Sequence, residues 1–349
     1  MTTSTTRRGA RLGGLAAASL LLLTTAATVT AQSPAASAPA TVTQGGTLNI
    51  DFATYNPLSL VIRDQGWLEN ALAPQGISVN WVQSAGSNKA NEALRSGAID
   101  VGSTAGSAAL LARSNGSPIQ VIDIYSQPEW SAIVVPGDSP IASVADLTGK
   151  NVAVTKGTDP YFFLLQSLQA AGLTQDDVTI QNLQHADGWA ALQNGAVDAW
   201  SGLDPIMAGA EAAGAKLIYR NVDFLSYGFL NATESFIQSK PDVAQKVVDA
   251  YEKARAWAAE HPDELAALLA EVANQDPAIA AKVLSERTNL AVDPVPGQTQ
   301  LDVLGRIGPI FVASGDVPSQ GDIDAALATI VNDAFAKAAD PTRIPDVAS

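Results

Sequence analysis

The chain has 349 residues, a formal charge of −15, two histidines and no cysteine. Without cysteine there is no disulfide, no thiolate metal site, no cysteine nucleophile and no lipid-anchoring cysteine behind a leader. The negative balance sets the surface against nucleic acid and anionic lipid as partners.

Arg7, Arg8 and Arg11 precede the apolar run Leu12 to Ala27, and Val29-Thr30-Ala31 offers a small-x-small cleavage pattern, so residues 1–31 read as a signal peptide. Gly13, Gly14, Thr24 and Thr25 interrupt the run, which falls short of the about 20 apolar residues of a membrane span. The pair Arg7-Arg8 leaves the general secretory and twin-arginine routes both open. Residues 32–46, rich in Ser, Pro, Ala, Thr and Gly, read as a flexible tether. The expected location is the periplasm. What remains is too long for one ordinary domain and fits two.

From Thr47, β-type runs alternate with helical ones: Thr47 to Ala53, Ile77 to Val82, Ile99 to Ser103 and Ile119 to Tyr125 are expected strands. A second set follows at Asn151 to Val154, Val178 to Leu183, Ala199 to Gly202 and Leu217 to Tyr219, with helices after Asp159, Ala186 and Asp204. Such alternation implies an α/β fold of parallel-type sheets with crossover helices. The segment Ala93-Leu94-Arg95-Ser96-Gly97-Ala98-Ile99-Asp100 returns as Ala191-Leu192-Gln193-Asn194-Gly195-Ala196-Val197-Asp198. Each copy reads as a helix ending at a left-handed glycine, followed by an apolar residue and an aspartate that open a buried strand. Two similar lobes follow, 47–131 with 230–349 and 132–229, joined by extended crossovers near Trp130 to Val135 and Phe224 to Leu230. The C-terminal helices, Asp242 to Glu260, Pro262 to Ala273, Pro277 to Thr288, Thr299 to Ser314 and Gln320 to Ala338, are expected mostly on the first lobe.

In open parallel sheets a ligand sits beyond the carboxyl ends of the strands, where helix N-termini present unpaired N–H groups. The loops at those ends hold Tyr55 and Asn56, Ser84, Ser103-Thr104-Ala105, Gly157-Thr158, His185 and Asp187, and Trp200 to Asp204. Ser, Thr and Gly dominate them, which suits an anion held by hydroxyls and backbone amides in a cleft between lobes. The crossover pair Glu129-Trp130 completes the candidate set. Ser, Thr and Asp before a helix are also ordinary N-caps. Asp159-Pro160 and Asp204-Pro205 fit that role, with aspartate as cap and proline at the first helical position. Asp204 would repel an anion unless turned away or paired with a cationic group on the ligand. His185 and His261 give no metal-ligand spacing, no serine stands in a nucleophile elbow, and the stretch 102–106 lacks the P-loop lysine, so neither metal nor cofactor is expected.

The ordered motifs Asn56-Pro57, Gly66-Trp67-Leu68-Glu69, Gly102-Ser103-Thr104-Ala105-Gly106, Asp138-Ser139-Pro140-Ile141, Ser143 to Lys150, Lys156-Gly157-Thr158 and Val197-Asp198-Ala199-Trp200 resemble the aliphatic sulfonate-binding proteins of ABC transporters. That family also includes taurine- and nitrate-type binders. The resemblance implies a type II periplasmic binding protein fold and a monomer that hands a small anion to an ABC permease with a cytoplasmic ATPase. It also implies an anionic head group at Ser103, Thr104, Ala105, Gly157 and Thr158. Leu203 departs from the family's Trp-Asp-Pro. An enzyme on the same fold, such as a small-molecule lyase or synthase, is the second reading.

Overall fold

The computed structural model describes residues 45–346; the expected signal peptide and nearly all of the tether lie outside the described residues. In chain order the strands are β1 (Gly46–Phe52), β2 (Ile77–Gln83), β3 (Val101–Ala105), β4 (Ile119–Pro128), β5 (Ser131–Val135), β6 (Asn151–Val154), β7 (Thr179–Asn182), β8 (Ala199–Leu203), β9 (Lys216–Tyr219), β10 (Gly228–Thr233) and β11 (Thr288–Asn289). They form two sheets, ordered β11-β4-β10-β3-β1-β2 and β7-β6-β8-β5-β9. We call each sheet with its helices a lobe.

The sheets are mixed rather than parallel throughout. β2, β1 and β3 run parallel, as do β7, β6 and β8, but β10 is antiparallel to β3 and β4, and β5 is antiparallel to β8 and β9. The cause is the crossover: a chain entering a lobe from the other meets the sheet from the cleft side and runs against its strands. Each crossover strand is wedged into the sheet it enters, β5 between β8 and β9 and β10 between β3 and β4. Both lobes therefore share one plan.

The sequence repeat explains how that plan is set locally. Gly97 and Gly195 adopt φ of 73° and 75°, a left-handed conformation that costs a side-chain-bearing residue about 1–2 kcal/mol. The chain then folds back on its helix, with Ala98 N donating to Ala93 O and Ala196 N to Ala191 O, both at 2.9 Å. The aspartate two residues on pins the neighbouring strand. Asp100 Oδ2 accepts from Asn49 N at 2.9 Å, and Asp198 Oδ2 from Asn151 N at 2.8 Å. The backbone answers in the other direction, Asp100 N to Asn49 O and Asp198 N to Asn151 O.

The C-terminal helices reach both lobes. Helix Pro277–Arg287 meets helix Ile206–Ala212 of the second lobe through Arg287 and Lys282, both paired with Glu211. Helix Gln298–Ala313 places Phe311 against Phe162, ring centroids 4.1 Å apart. The continuous helix expected over 320–338 is broken into Gln320–Leu327 and Ala334–Lys337. Between them Val331 bridges to Val121, an edge pairing that helical backbone could not make.

Candidate functional site

Beyond the carboxyl ends of the parallel strands, four helices begin: Ser87–Ser96 and Gly106–Ser114 in the first lobe, Asp159–Ala170 and His185–Gln193 in the second. Their N-termini carry the positive ends of the helix dipoles. The lobes touch along this seam. A Cβ added at Gly86 would lie 3.0 Å from His185 Nε2, and one at Gly157 would lie 3.7 Å from Asn88 Cβ.

At the end of the seam where the two crossovers that join the lobes run, here called the hinge, sits Asp159, 1% exposed. It was expected to cap its own helix. Instead Thr158 holds the cap position, and the Asp159 carboxylate is the acceptor for both lobes and the hinge. Its Oδ1 accepts from Ser107 Oγ at 2.5 Å and Ser226 Oγ at 2.6 Å, and its Oδ2 from Trp130 Nε1 at 2.7 Å and Ser226 N at 3.0 Å. Burial pushes its pKa up, against the pull of these hydrogen bonds from Ser107, Ser226 and Trp130. All four donors are neutral.

A second buried carboxylate, Asp51, organises the first-lobe loop. It accepts from Ser103 N at 2.8 Å and from Ser103 Oγ at 3.1 Å, and Ser84 lies beside it. Tyr55 O–H donates to Ser103 O at 3.0 Å, and Ala105 N donates to Ser87 Oγ at 2.9 Å. Burial raises the Asp51 pKa to about 7, against hydrogen bonds from Ser84 and Ser103. The two threonines aligned with the anion loops have committed hydroxyls. Thr104 Oγ1 donates to Ala105 O at 2.9 Å while accepting from Asn231 Nδ2, and Thr158 Oγ1 donates to Thr155 O at 2.6 Å. Gly157 has φ of 78°.

Pro205, not Asp204, holds the cap position of helix Ile206–Ala212; from one residue earlier the Asp204 carboxylate still accepts from Ala208 N at 2.9 Å, and it also pairs with Arg287 Nη1 at 3.3 Å. Arg287 thus supplies the positive partner that the sequence left to a ligand. Burial raises Asp204 to about 6, with Arg287 opposing. Tyr55, Trp130, Asp204 and Arg287 line a cavity of about 10 Å³, close to the smallest space that holds one water. Tyr55 and Trp130 meet edge to face, centroids 6.2 Å apart.

The other expected residues divide. His185 is buried with Nδ1 3.2 Å from Thr155 Oγ1, while its Nε2 has no partner in the protein. Trp200 is fully buried beside Trp189, and its Nε1 also lacks a partner. Glu129 pairs with Arg220 at 2.7 Å. Asn56 lies in the helix-capping layer, its Nδ2 donating to Tyr251 O–H at 2.9 Å and its Oδ1 accepting from Ser59 N. Asp187 is exposed in the first turn of its helix and stays outside the cluster. Sequence reading missed Asp51, Ser107, Asp159, Ser226 and Arg287 as individual site residues. Asp159 and Ser107 stand just after the Gly157-Thr158 and Ser103-Thr104-Ala105 loops already singled out, whereas Ser226 and Arg287 carried no local signal.

Two α/β lobes closing on a seam of neutral donors define the class of the periplasmic binding proteins. Within it, residues 59–265 match the NMT1/THI5-like family, and the chain belongs to that family. An aliphatic sulfonates-binding protein of Bacillus subtilis (strain 168) is 32% identical over 229 residues, 64% of this chain and 69% of the relative. One of Escherichia coli (strain K12) is 29% identical over 248 residues, 70% and 77% of the two chains. Among solved structures, the alkanesulfonate-binding protein SsuA from Xanthomonas axonopodis pv. citri bound to MOPS superposes with a TM-score of 0.73 at 24% identity, covering 82% of this chain and 98% of that one.

Proposed function

We infer that this protein is the periplasmic substrate-binding component of an ABC importer and that its ligand is a small organic oxyanion, an aliphatic sulfonate. The observation that carries the reading is the setting of Asp159: the seam buries an oxyacid group using hydroxyl, indole and backbone donors from both lobes and the hinge, with no cation among its partners. Fixed dipoles of that kind offset part of the desolvation cost of a buried anion. The names of the two curated relatives support a sulfonate as the ligand class. The pairing of Asp204 with Arg287 favours an anion over a ligand cation at that position.

The working cycle follows from the two crossovers. The lobes, 47–131 with 230–349 and 132–229, part at the hinge, admit the ligand and close over it. The binding free energy comes from contacts that only the closed form makes. The closed protein, a monomer, is then presented to the permease and its cytoplasmic ATPase.

The competing reading is a lyase or synthase on the same two-lobed architecture. Mass spectrometry of small molecules released from the purified protein separates the two. Recovery of an added alkanesulfonate unaltered after prolonged incubation supports the receptor. Conversion into a product of different mass would make the protein an enzyme.

A further inference from the structure

The outer end of the seam differs in chemistry from the hinge end. Thr155 O–H donates to Leu183 O at 2.7 Å; with its one hydrogen placed there, Thr155 Oγ1 can only accept from His185 Nδ1 at 3.2 Å. His185 therefore carries its proton on Nδ1, and Nε2 is a bare lone pair. That atom is buried and has no partner in the protein. Burial lowers the ring's pKa to about 3, so the imidazole is neutral at physiological pH. Asn88 Oδ1, from the first lobe, is likewise buried and unpartnered, as is Gln184 Oε1 next to His185. Asn88 Oδ1 and His185 Nε2 flank the same face of Gly86, 2.9 and 3.0 Å from where a side chain there would begin.

These atoms are acceptors. A sulfonate oxygen has only lone pairs to offer and gains nothing from them, whereas a buried acceptor left unmatched is costly. We propose that the outer seam recognises a hydrogen-bond donor on the organic part of the ligand, an ammonium or a hydroxyl, and that His185 Nε2 and Asn88 Oδ1, one from each lobe, read it. The inference rests on the sulfonate reading and sharpens it: the preferred ligand is an amino- or hydroxyalkanesulfonate, and His185 is a specificity-determining residue.

Calorimetric titration of the full chain with propane-1-sulfonate, 3-aminopropane-1-sulfonate and 3-hydroxypropane-1-sulfonate tests it. The expected result is that at least one donor-bearing ligand binds about tenfold tighter than propane-1-sulfonate, the worth of one good hydrogen bond. His185→Leu should remove most of that preference, read as the ratio of donor-bearing to propane-1-sulfonate affinity within the same variant whatever its absolute affinity, and His185→Gln, which keeps an acceptor, should retain part of the ratio. Equal affinities across the series, or a preference that survives His185→Leu, overturn the inference and leave the sulfonate reading standing. Binding of none of the three overturns both. Nitrogen-15 NMR of labelled imidazole gives a readout independent of any variant's folding. A non-protonated Nε2 in the free protein that shifts on adding the donor-bearing ligand supports the assignment, and a protonated Nε2 contradicts it.

Discussion

Gly86→Val should weaken ligand binding about ten- to a hundredfold and leave the free energy of unfolding nearly unchanged. Gly86 has φ of 162°, extended backbone that any residue adopts, so the substitution carries no conformational penalty of its own. The penalty is steric: the new Cβ would start 2.9 Å from Asn88 Oδ1 of its own lobe, the end of a side chain that can turn away, and 3.0 Å and 3.2 Å from His185 Nε2 and Cδ2 across the seam, where the cost falls. That ring is tethered to Thr155 and is not free to swing away. Overpacking of this kind costs about 1–3 kcal/mol. The cost falls on the closed arrangement, and a smaller closed population raises the observed dissociation constant in proportion. Calorimetry paired with urea unfolding checks both halves. Unchanged affinity would show that the lobes do not need this approach to hold a ligand, and a large loss of stability would show that Gly86 matters to folding.

Asp51→Asn should flatten part of the protein's pH–stability profile. A folded-state pKa of about 7, against an ordinary 3.8, means that the folded chain holds a proton that the unfolded chain has released. The group's contribution is fully present below about pH 4 and is lost as the pH rises through 7. Over that window the wild type should lose about 4 kcal/mol relative to the variant, at about 1.36 kcal/mol per pKa unit. Asparagine keeps the acceptor for Ser103 N and the size of the side chain, so the anchor of the Ser103 loop survives. Urea unfolding of both proteins at about pH 4, 5.5 and 7 gives the difference directly. Parallel profiles would mean that burial does not raise the Asp51 pKa in the folded chain. The proton also bears on function, because Asp51 lies in the loop layer of the seam and its neutral form does not repel an incoming anion.

Much of this arrangement was legible in the sequence because it is set locally. The copies ending in Asp100 and Asp198 betray themselves by a helix, a left-handed glycine and a strand-opening aspartate, and the structure uses both in the same way. The loops after the strands were legible for the same reason: capping residues and strand ends sit next to one another in the chain. The antiparallel strands were not, since whether an extended run joins a sheet with or against its neighbours is decided by where the crossover enters. Asp159 shows the limit most clearly. Its neighbours in sequence call for a cap, yet its carboxylate answers to Trp130 and Ser226 on the hinge and Ser107 on the other lobe, all distant in the chain. Arg287 ends a helix that reads as part of the first lobe and closes an ion pair on the second.

Capture of a sulfonate by neutral donors between the lobes makes a direct demand on salt dependence. Isothermal titration with propane-1-sulfonate at about 0.02 M and about 0.15 M salt tests it most directly, because charge–charge attraction is screened over this range and short hydrogen bonds from fixed dipoles are not. One site per chain is expected, with an affinity that changes less than about threefold between the two conditions. Absence of saturable binding, or an affinity that collapses at the higher salt, would contradict it.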